Sequence, residues 1–131
     1  MSQDREHLGE QKISEIGGAL GEKMIGEISR FHPAYAAYIK DSVAALQSSP
    51  VLTQRERDII RLTALTTVGA SLVQVKNTVK VTLESGIFTP EEVGDIIMQT
   101  SWYCGFTPAL TAAFAALEAI DDFTANQESS Q

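Results

Sequence analysis

Hydrophobic residues recur every three or four positions along most of the chain, which is the spacing of amphipathic α-helices. The first predicted helix, about residues 12–30, has an apolar face formed by Ile13, Ile16, Leu20, Met24 and Ile28. A second helix is predicted to begin at Pro33, because proline is favourable in the first helical turn. The pattern therefore indicates a mainly helical protein.

Two capping boxes mark later helix starts. The stretches TQRE (53–56) and TPEE (89–92) each place a threonine three residues before a glutamate. The threonine side chain can then accept a hydrogen bond from the backbone amide of the glutamate, and the glutamate side chain one from the backbone amide of the threonine. They predict helices over about 53–68 and 90–104. The dipeptide TP at 107–108 predicts the start of an alanine-rich helix over 108–122.

The segment VQVKNTVKVTLESG (73–86) fits two patterns. Its valines alternate as in a strand, whereas Leu72, Val75, Val79 and Leu83 form one helical face. A lone strand between two helices would leave its backbone groups unpaired. We therefore favour a helix over about 72–85, with Gly86 just past its C-terminus.

The predicted fold is all-α, with about six helices in a single domain, 1–131, whose ends (1–11 and 124–131) are expected to be disordered. The net charge is −7 and the isoelectric point about 4.7, which argues against nucleic acid or an anionic membrane as a partner. The single cysteine, Cys104, excludes an intramolecular disulfide, and the composition suits the cytoplasm. No metal-ligand spacing or phosphate loop is present in the sequence, so no metal or cofactor is predicted.

Two regions contain candidate chemistry. Asp58 follows the first capping box, where it either favours the positive end of the helix dipole or turns inward as a buried, proton-carrying carboxylate. Trp102, Tyr103 and Cys104 lie in SWYCGFTPAL (101–110), which forms either a core or subunit interface or the wall of a ligand pocket. Cys104 alone is expected to act as a small buried hydrophobe.

Three blocks together resemble the carboxymuconolactone decarboxylase family, which includes the alkylhydroperoxidase-D-like proteins. The blocks are LTQRERDIIRLTALTTVGA (52–70), VTLESGIFTPEEVGDIIMQTSWYCGF (81–106) and TPALTAAFAAL (107–117). The resemblance implies an all-α, alkylhydroperoxidase-D-like protomer that forms a homotrimer or homohexamer. It also implies a site between subunits, lined by Asp58 at the family's acidic position and by Tyr103.

The chain departs from the family at its reactive residues. The family histidine, which shuttles protons during loss of CO₂, falls on Asn77 when counted from Gly69 and on Thr78 when counted back from Gly86. Neither cysteine of the family's CxxC motif is present in either register. Dithiol-dependent peroxide reduction needs both thiols, so this chemistry is not expected. An asparagine or threonine can hydrogen-bond a ligand but cannot exchange a proton near neutral pH.

Two functional hypotheses remain. In the first, the chain is a cofactor-free, decarboxylase-like enzyme acting on a lactone or small acid, with Asp58 as catalytic residue and Asn77, Thr78, Trp102 and Tyr103 as substrate-binding residues. In the second, it is a non-catalytic oligomeric binding or scaffold protein that has lost the family chemistry.

Overall fold

The computed structural model describes residues 3–130, which form six α-helices and no β-strand. The helices are α1 (Gln3–Phe31), α2 (Pro33–Gln47), α3 (Gln54–Thr67), α4 (Leu72–Glu84), α5 (Pro90–Cys104) and α6 (Phe106–Ser129). This confirms the predicted all-α fold. No helix within the described range is both long and apolar enough to cross a lipid bilayer.

Both capping boxes form at the predicted helix starts. The Thr53 hydroxyl accepts a hydrogen bond from the Glu56 amide at 3.1 Å, and the Glu56 carboxylate accepts one from the Thr53 amide at 2.8 Å. Thr89 and Glu92 repeat this exchange at the start of α5, at 3.2 and 2.9 Å. Each pair satisfies amides that have no partner within the helix, and so fixes where α3 and α5 begin.

The valine-rich segment is helical, as favoured. The Ser71 hydroxyl caps α4 by accepting from the Gln74 amide at 3.3 Å. Past the C-terminus, Gly86 has a φ of 76°, a backbone conformation that suits a residue without a side chain. Tertiary packing stabilises the helix despite its valines, because Val75, Val79 and Leu83 are all buried.

The two ends are helical where disorder was expected. Residues 3–11 belong to α1 and residues 124–129 to α6, while residues 1, 2 and 131 lie outside the described part of the chain. At the N-terminal end the reason is pairing with α2. Lys40 donates to Glu10 at 2.8 Å, and Arg5 lies 3.0 Å from Asp41.

The chain divides into two compact units with a boundary between Leu52 and Thr53. The first unit consists of α1 and α2 packed along each other, with a kink in α1 at Gly18, whose φ is 61°. Gly9 is buried in this unit where α1 crosses the backbone of Lys40.

The second unit contains α3 to α6, and its core lies where α3, α4 and α5 pack around α6. α6 contributes alanines to this core, which allow a close approach, and the other helices contribute larger side chains. The fully buried core includes Leu62 of α3, Val79 of α4 and Val93 of α5. All the predicted site residues lie in this unit: Asp58, Asn77, Thr78, Trp102 and Tyr103.

Candidate functional site

Asp58 is a buried carboxylate in the first part of α3. Only 4% of its surface is exposed, although it lies within two turns of the helix start. Burial raises the pKa of the Asp58 carboxyl above its ordinary value, because removal from water disfavours the charged form. Three interactions oppose this increase in pKa without cancelling it: the positive charge of Arg61, a hydrogen bond from Gln54 and the positive charge of Arg57.

A chain of hydrogen bonds holds the Asp58 side chain in place. The Gln54 amide nitrogen donates to Asp58 Oδ1 at 3.1 Å, and Gln54 Oε1 accepts from Arg57 at 3.1 Å. The donor and acceptor ends of the Gln54 amide are therefore both used. This arrangement fixes one oxygen of Asp58 and shows that the residue turns inward, while Glu56 completes the cap.

Arg61 is the charged neighbour of Asp58 one helical turn later. It attracts Asp58 electrostatically, and burial lowers the pKa of its guanidinium below the ordinary arginine value. Its Nε–H group is buried and has no hydrogen-bond partner among the described residues. Buried N–H groups are nearly always paired in folded proteins, so this atom marks a position for a further acceptor.

Asn77 and Thr78, the two predicted substrate-binding positions of the valine-rich segment, lie in the middle of α4. Thr78 is buried, and its backbone carbonyl accepts a hydrogen bond from the Thr82 hydroxyl at 2.9 Å. Asn77 is half-buried. Since α4 packs against α3, both positions belong to a helix that adjoins the one carrying Asp58.

Trp102 and Tyr103 lie at the C-terminal end of α5 with 85% and 86% of their surfaces exposed. They are not core residues of a single chain. Cys104, which was expected to be a buried hydrophobe, is half-buried, and its thiol donates to the Gly105 carbonyl at 3.4 Å. The structure of the single chain thus buries Asp58 and Thr78 but leaves both aromatic residues exposed.

Three of the clefts in the described part of the second unit have linings that contain none of the five predicted site residues. One of these, of about 520 Å³, lies beside Arg55, whose guanidinium pairs with Glu92, donates to the Ile87 carbonyl and covers the Phe88 ring. One of about 380 Å³ lies beside Lys76, which pairs with Glu118 and Asp122. The third is an apolar groove of about 190 Å³ between α5 and α6. The cations of the first two clefts named here, Arg55 and Lys76, are thus already paired.

Both histidines lie in the first unit and have partners in or next to their own helices. His32 caps α2 by accepting from the Tyr35 amide at 3.4 Å, as its position before Pro33 indicates, and His7 contacts Gln11 within α1. Residues 3–130 contain no cluster of three or more histidine, cysteine, aspartate or glutamate side chains arranged to hold a metal ion. Asp58 and the polar residues near it in α3 and α4 carry carboxylate, guanidinium, amide and hydroxyl groups.

The sequence singled out Asp58 as a candidate but not its polar neighbours Gln54 and Arg61. Their signal is present in the sequence as helical spacing, because residues four before and three after Asp58 share its face. The charged stretch RERD was interpreted as part of the helix cap, and the helix face that contains Gln54 and Arg61 was not considered.

Comparison of the chain with protein-family profiles, with curated proteins and with solved structures finds no match.

Proposed function

We propose that this chain is a carboxymuconolactone decarboxylase-like enzyme that processes a lactone or other small acid without a cofactor, with Asp58 as its proton carrier. The buried Asp58 carboxyl, with its raised pKa, is the observation that supports the proposal. A carboxyl with a raised pKa retains its proton closer to neutral pH, as a general acid requires.

Asp58 has a defined task in a decarboxylation of this kind. When the bond between the ring carbon and the carboxylate breaks, CO₂ leaves and the bonding electron pair passes into the conjugated lactone as a dienolate. The protonated Asp58 then donates its proton to a carbon of the dienolate and becomes a carboxylate. A proton from water restores the acid, so that the cycle consumes no external reductant or oxidant.

The remaining predicted residues would bind the substrate. The side chains of Asn77 and Thr78 offer hydrogen bonds from the helix beside α3. Trp102 and Tyr103 are too exposed to enclose a ligand within one chain. We therefore propose a homotrimer or homohexamer in which a neighbouring copy covers these two aromatic residues and closes the site.

A non-catalytic role is the second candidate. The exposure of Trp102 and Tyr103 favours it, because exposed aromatic residues are typical of protein-binding surfaces. In this case the chain would be an oligomeric binding or scaffold protein, and Asp58 would have only a structural role.

The decisive experiment is decarboxylation of 4-carboxymuconolactone by the purified protein. We expect turnover above the uncatalysed rate and a loss of about 10²–10⁴-fold in Asp58→Asn, which cannot donate a carboxyl proton but keeps the shape of the side chain. Asp121→Asn is a matched control, because Asp121 is an exposed aspartate on α6. Absence of turnover, with no effect of Asp58→Asn, would remove the enzymatic hypothesis and leave the binding role.

A further inference from the structure

Four polar residues share one face of α3. Gln54, Arg57, Asp58 and Arg61 are separated by three and four positions, so they lie within about a third of the helix circumference. Asp58 is buried, and the other three are only partly exposed. Polar side chains gathered on a buried helix face, rather than on the solvent side, require partners for all their hydrogen-bonding groups.

The hydrogen bonds within this cluster do not satisfy Arg61. Gln54 bridges Arg57 and Asp58, and both polar ends of its amide are then occupied. Arg61 interacts with Asp58 through electrostatic attraction, but no ion pair within 4.0 Å joins the two side chains in the described residues. Its Nε–H is buried and unpaired, so neither the cluster nor bulk water supplies the acceptor.

The charge of the cluster indicates which acceptor fits. Two guanidinium groups face one carboxylate, and the positive excess grows whenever Asp58 is protonated. The terminal nitrogens and Nε of arginine form a planar fork that matches the two oxygens of a carboxylate. An anionic ligand with a planar, two-oxygen group therefore complements Arg61 in both charge and shape.

We propose that Arg61 is a ligand-binding residue that holds the carboxylate of a small organic acid in the Gln54–Arg57–Asp58–Arg61 cluster. The inference deepens the proposed function and rests on it for the assumption that this acid is a substrate. The bound carboxylate would lie next to Asp58, the group that carries the proton. Arg61 fixes the acid group of the ligand, and Asp58 remains free to act on the adjoining carbon.

A pair of matched probes tests the proposal without requiring turnover. γ-Butyrolactone-γ-carboxylate carries the acid group, and its methyl ester has nearly the same shape without the charge. Each is titrated into the ¹⁵N-labelled protein while the Nε–H resonance of Arg61 is followed by NMR. We expect the acid to shift this resonance in a saturable way and to bind at least about tenfold more tightly than the ester, as for a charge-assisted hydrogen bond.

Substitutions locate the binding site. Arg61→Gln should weaken binding of the acid by about tenfold to a hundredfold, and Arg61→Lys, which keeps the charge but loses the planar fork, should have an intermediate effect. Arg55→Gln is the matched control, because Arg55 is an exposed arginine of the same helix that pairs with Glu92. Asp58→Asn should bind the acid at least as tightly as the unchanged protein, since it removes a negative charge beside the ligand.

Several outcomes would overturn the inference. They are equal binding of acid and ester, an Arg61 resonance that does not respond to the acid, or unchanged affinity in Arg61→Gln. The first two need no variant and remain decisive if Arg61→Gln does not fold. Binding that depends on Arg61 without decarboxylation would contradict only the proposed function, whereas decarboxylation with unchanged KM in Arg61→Gln would contradict only the present inference.

Discussion

Asp58 and the capping glutamates show how the surroundings of a carboxylate determine its pKa. Glu56 and Glu92 lie at exposed helix starts and accept backbone hydrogen bonds, which lower their pKa values. Asp58 is two residues from Glu56, but burial dominates there and raises its pKa. Two carboxylates within one turn of the same helix thus have pKa values shifted in opposite directions.

The raised pKa of Asp58 predicts a pH-dependent stability difference. A carboxyl whose pKa is higher in the folded state binds more protons folded than unfolded, so its contribution to stability decreases as pH rises from the unfolded pKa through the folded pKa. Asp58→Asn lacks this penalty. We expect the stability of Asp58→Asn relative to the unchanged protein to rise with pH, by at most about 1.4 kcal/mol per pH unit.

Urea unfolding of both proteins between about pH 4 and pH 8 measures this difference directly. The contributions of Glu10, Glu56 and Glu92, whose pKa values are lowered, have the opposite sign but are common to both proteins and cancel in the comparison. A stability difference that stays constant or falls with rising pH would show that folding does not raise the pKa of Asp58.

The sequence was sufficient to nominate Asp58 but not to describe its surroundings. Its position after TQRE left two interpretations open, a favourable charge at the helix start or an inward-facing carboxyl. The choice depends on whether the helix face bearing Asp58 is covered by other parts of the fold, which is a tertiary property. The same holds for Arg61, whose unpaired Nε can be recognised only once its burial is known.

At the scale of elements, the sequence predicted the inner helix boundaries better than the two outer ones, the start of α1 and the end of α6. A start is fixed by local chemistry, as in the Thr53–Glu56 and Thr89–Glu92 boxes, which form at the predicted positions. The extension of α1 to Gln3 depends instead on its packing along α2. The N-terminal stretch is polar, and disorder was therefore expected there. The contacts that hold it to α2, at Gly9 and Glu10, join residues about thirty positions apart, and such long-range contacts cannot be recognised from local sequence.

Gly9 is predicted to be essential for the pairing of α1 with α2. A Cβ atom at this position would overlap the backbone carbonyl of Lys40, and a backbone atom cannot rotate away as a side chain can. We therefore expect Gly9→Ala to destabilise the helix pair by about 1–3 kcal/mol, despite the higher helix propensity of alanine.

Gly26→Ala is the matched control for this prediction. Gly26 lies in the same helix, and a Cβ atom added there would have no neighbour within 4 Å. This change should stabilise the protein by about 0.5–1 kcal/mol through helix propensity alone. Thermal unfolding followed by circular dichroism measures both variants, and the same sign of effect in the two would contradict the proposed close packing at Gly9.

At the scale of the whole molecule, the second unit has an uncovered apolar surface opposite its core. α6 directs Ala109, Ala112 and Ala116 inward, while larger side chains face outward along the same helix. We call this outer surface the apolar stripe; it consists of Met98, Trp102, Tyr103, Phe106, Leu110, Phe114 and Leu117. Its side chains are all at least half exposed, and such contiguous apolar surfaces are typical of protein interfaces.

The apolar stripe leads to the prediction that the protein is a homotrimer or homohexamer at micromolar concentration. The same face offers protruding aromatic residues and the apolar groove between α5 and α6, so copies of one chain can supply both sides of a contact. Light scattering should give a mass three or six times that of the 14.2 kDa chain.

Phe114→Glu places a charge in the middle of the apolar stripe and should lower the mass to that of a monomer, because an unpaired buried charge strongly disfavours association. Val51→Glu makes the same change at an exposed position outside the stripe and should leave the mass unchanged. A monomeric mass for the unchanged protein would contradict the assembly and, with it, the proposal that a neighbouring copy covers Trp102 and Tyr103.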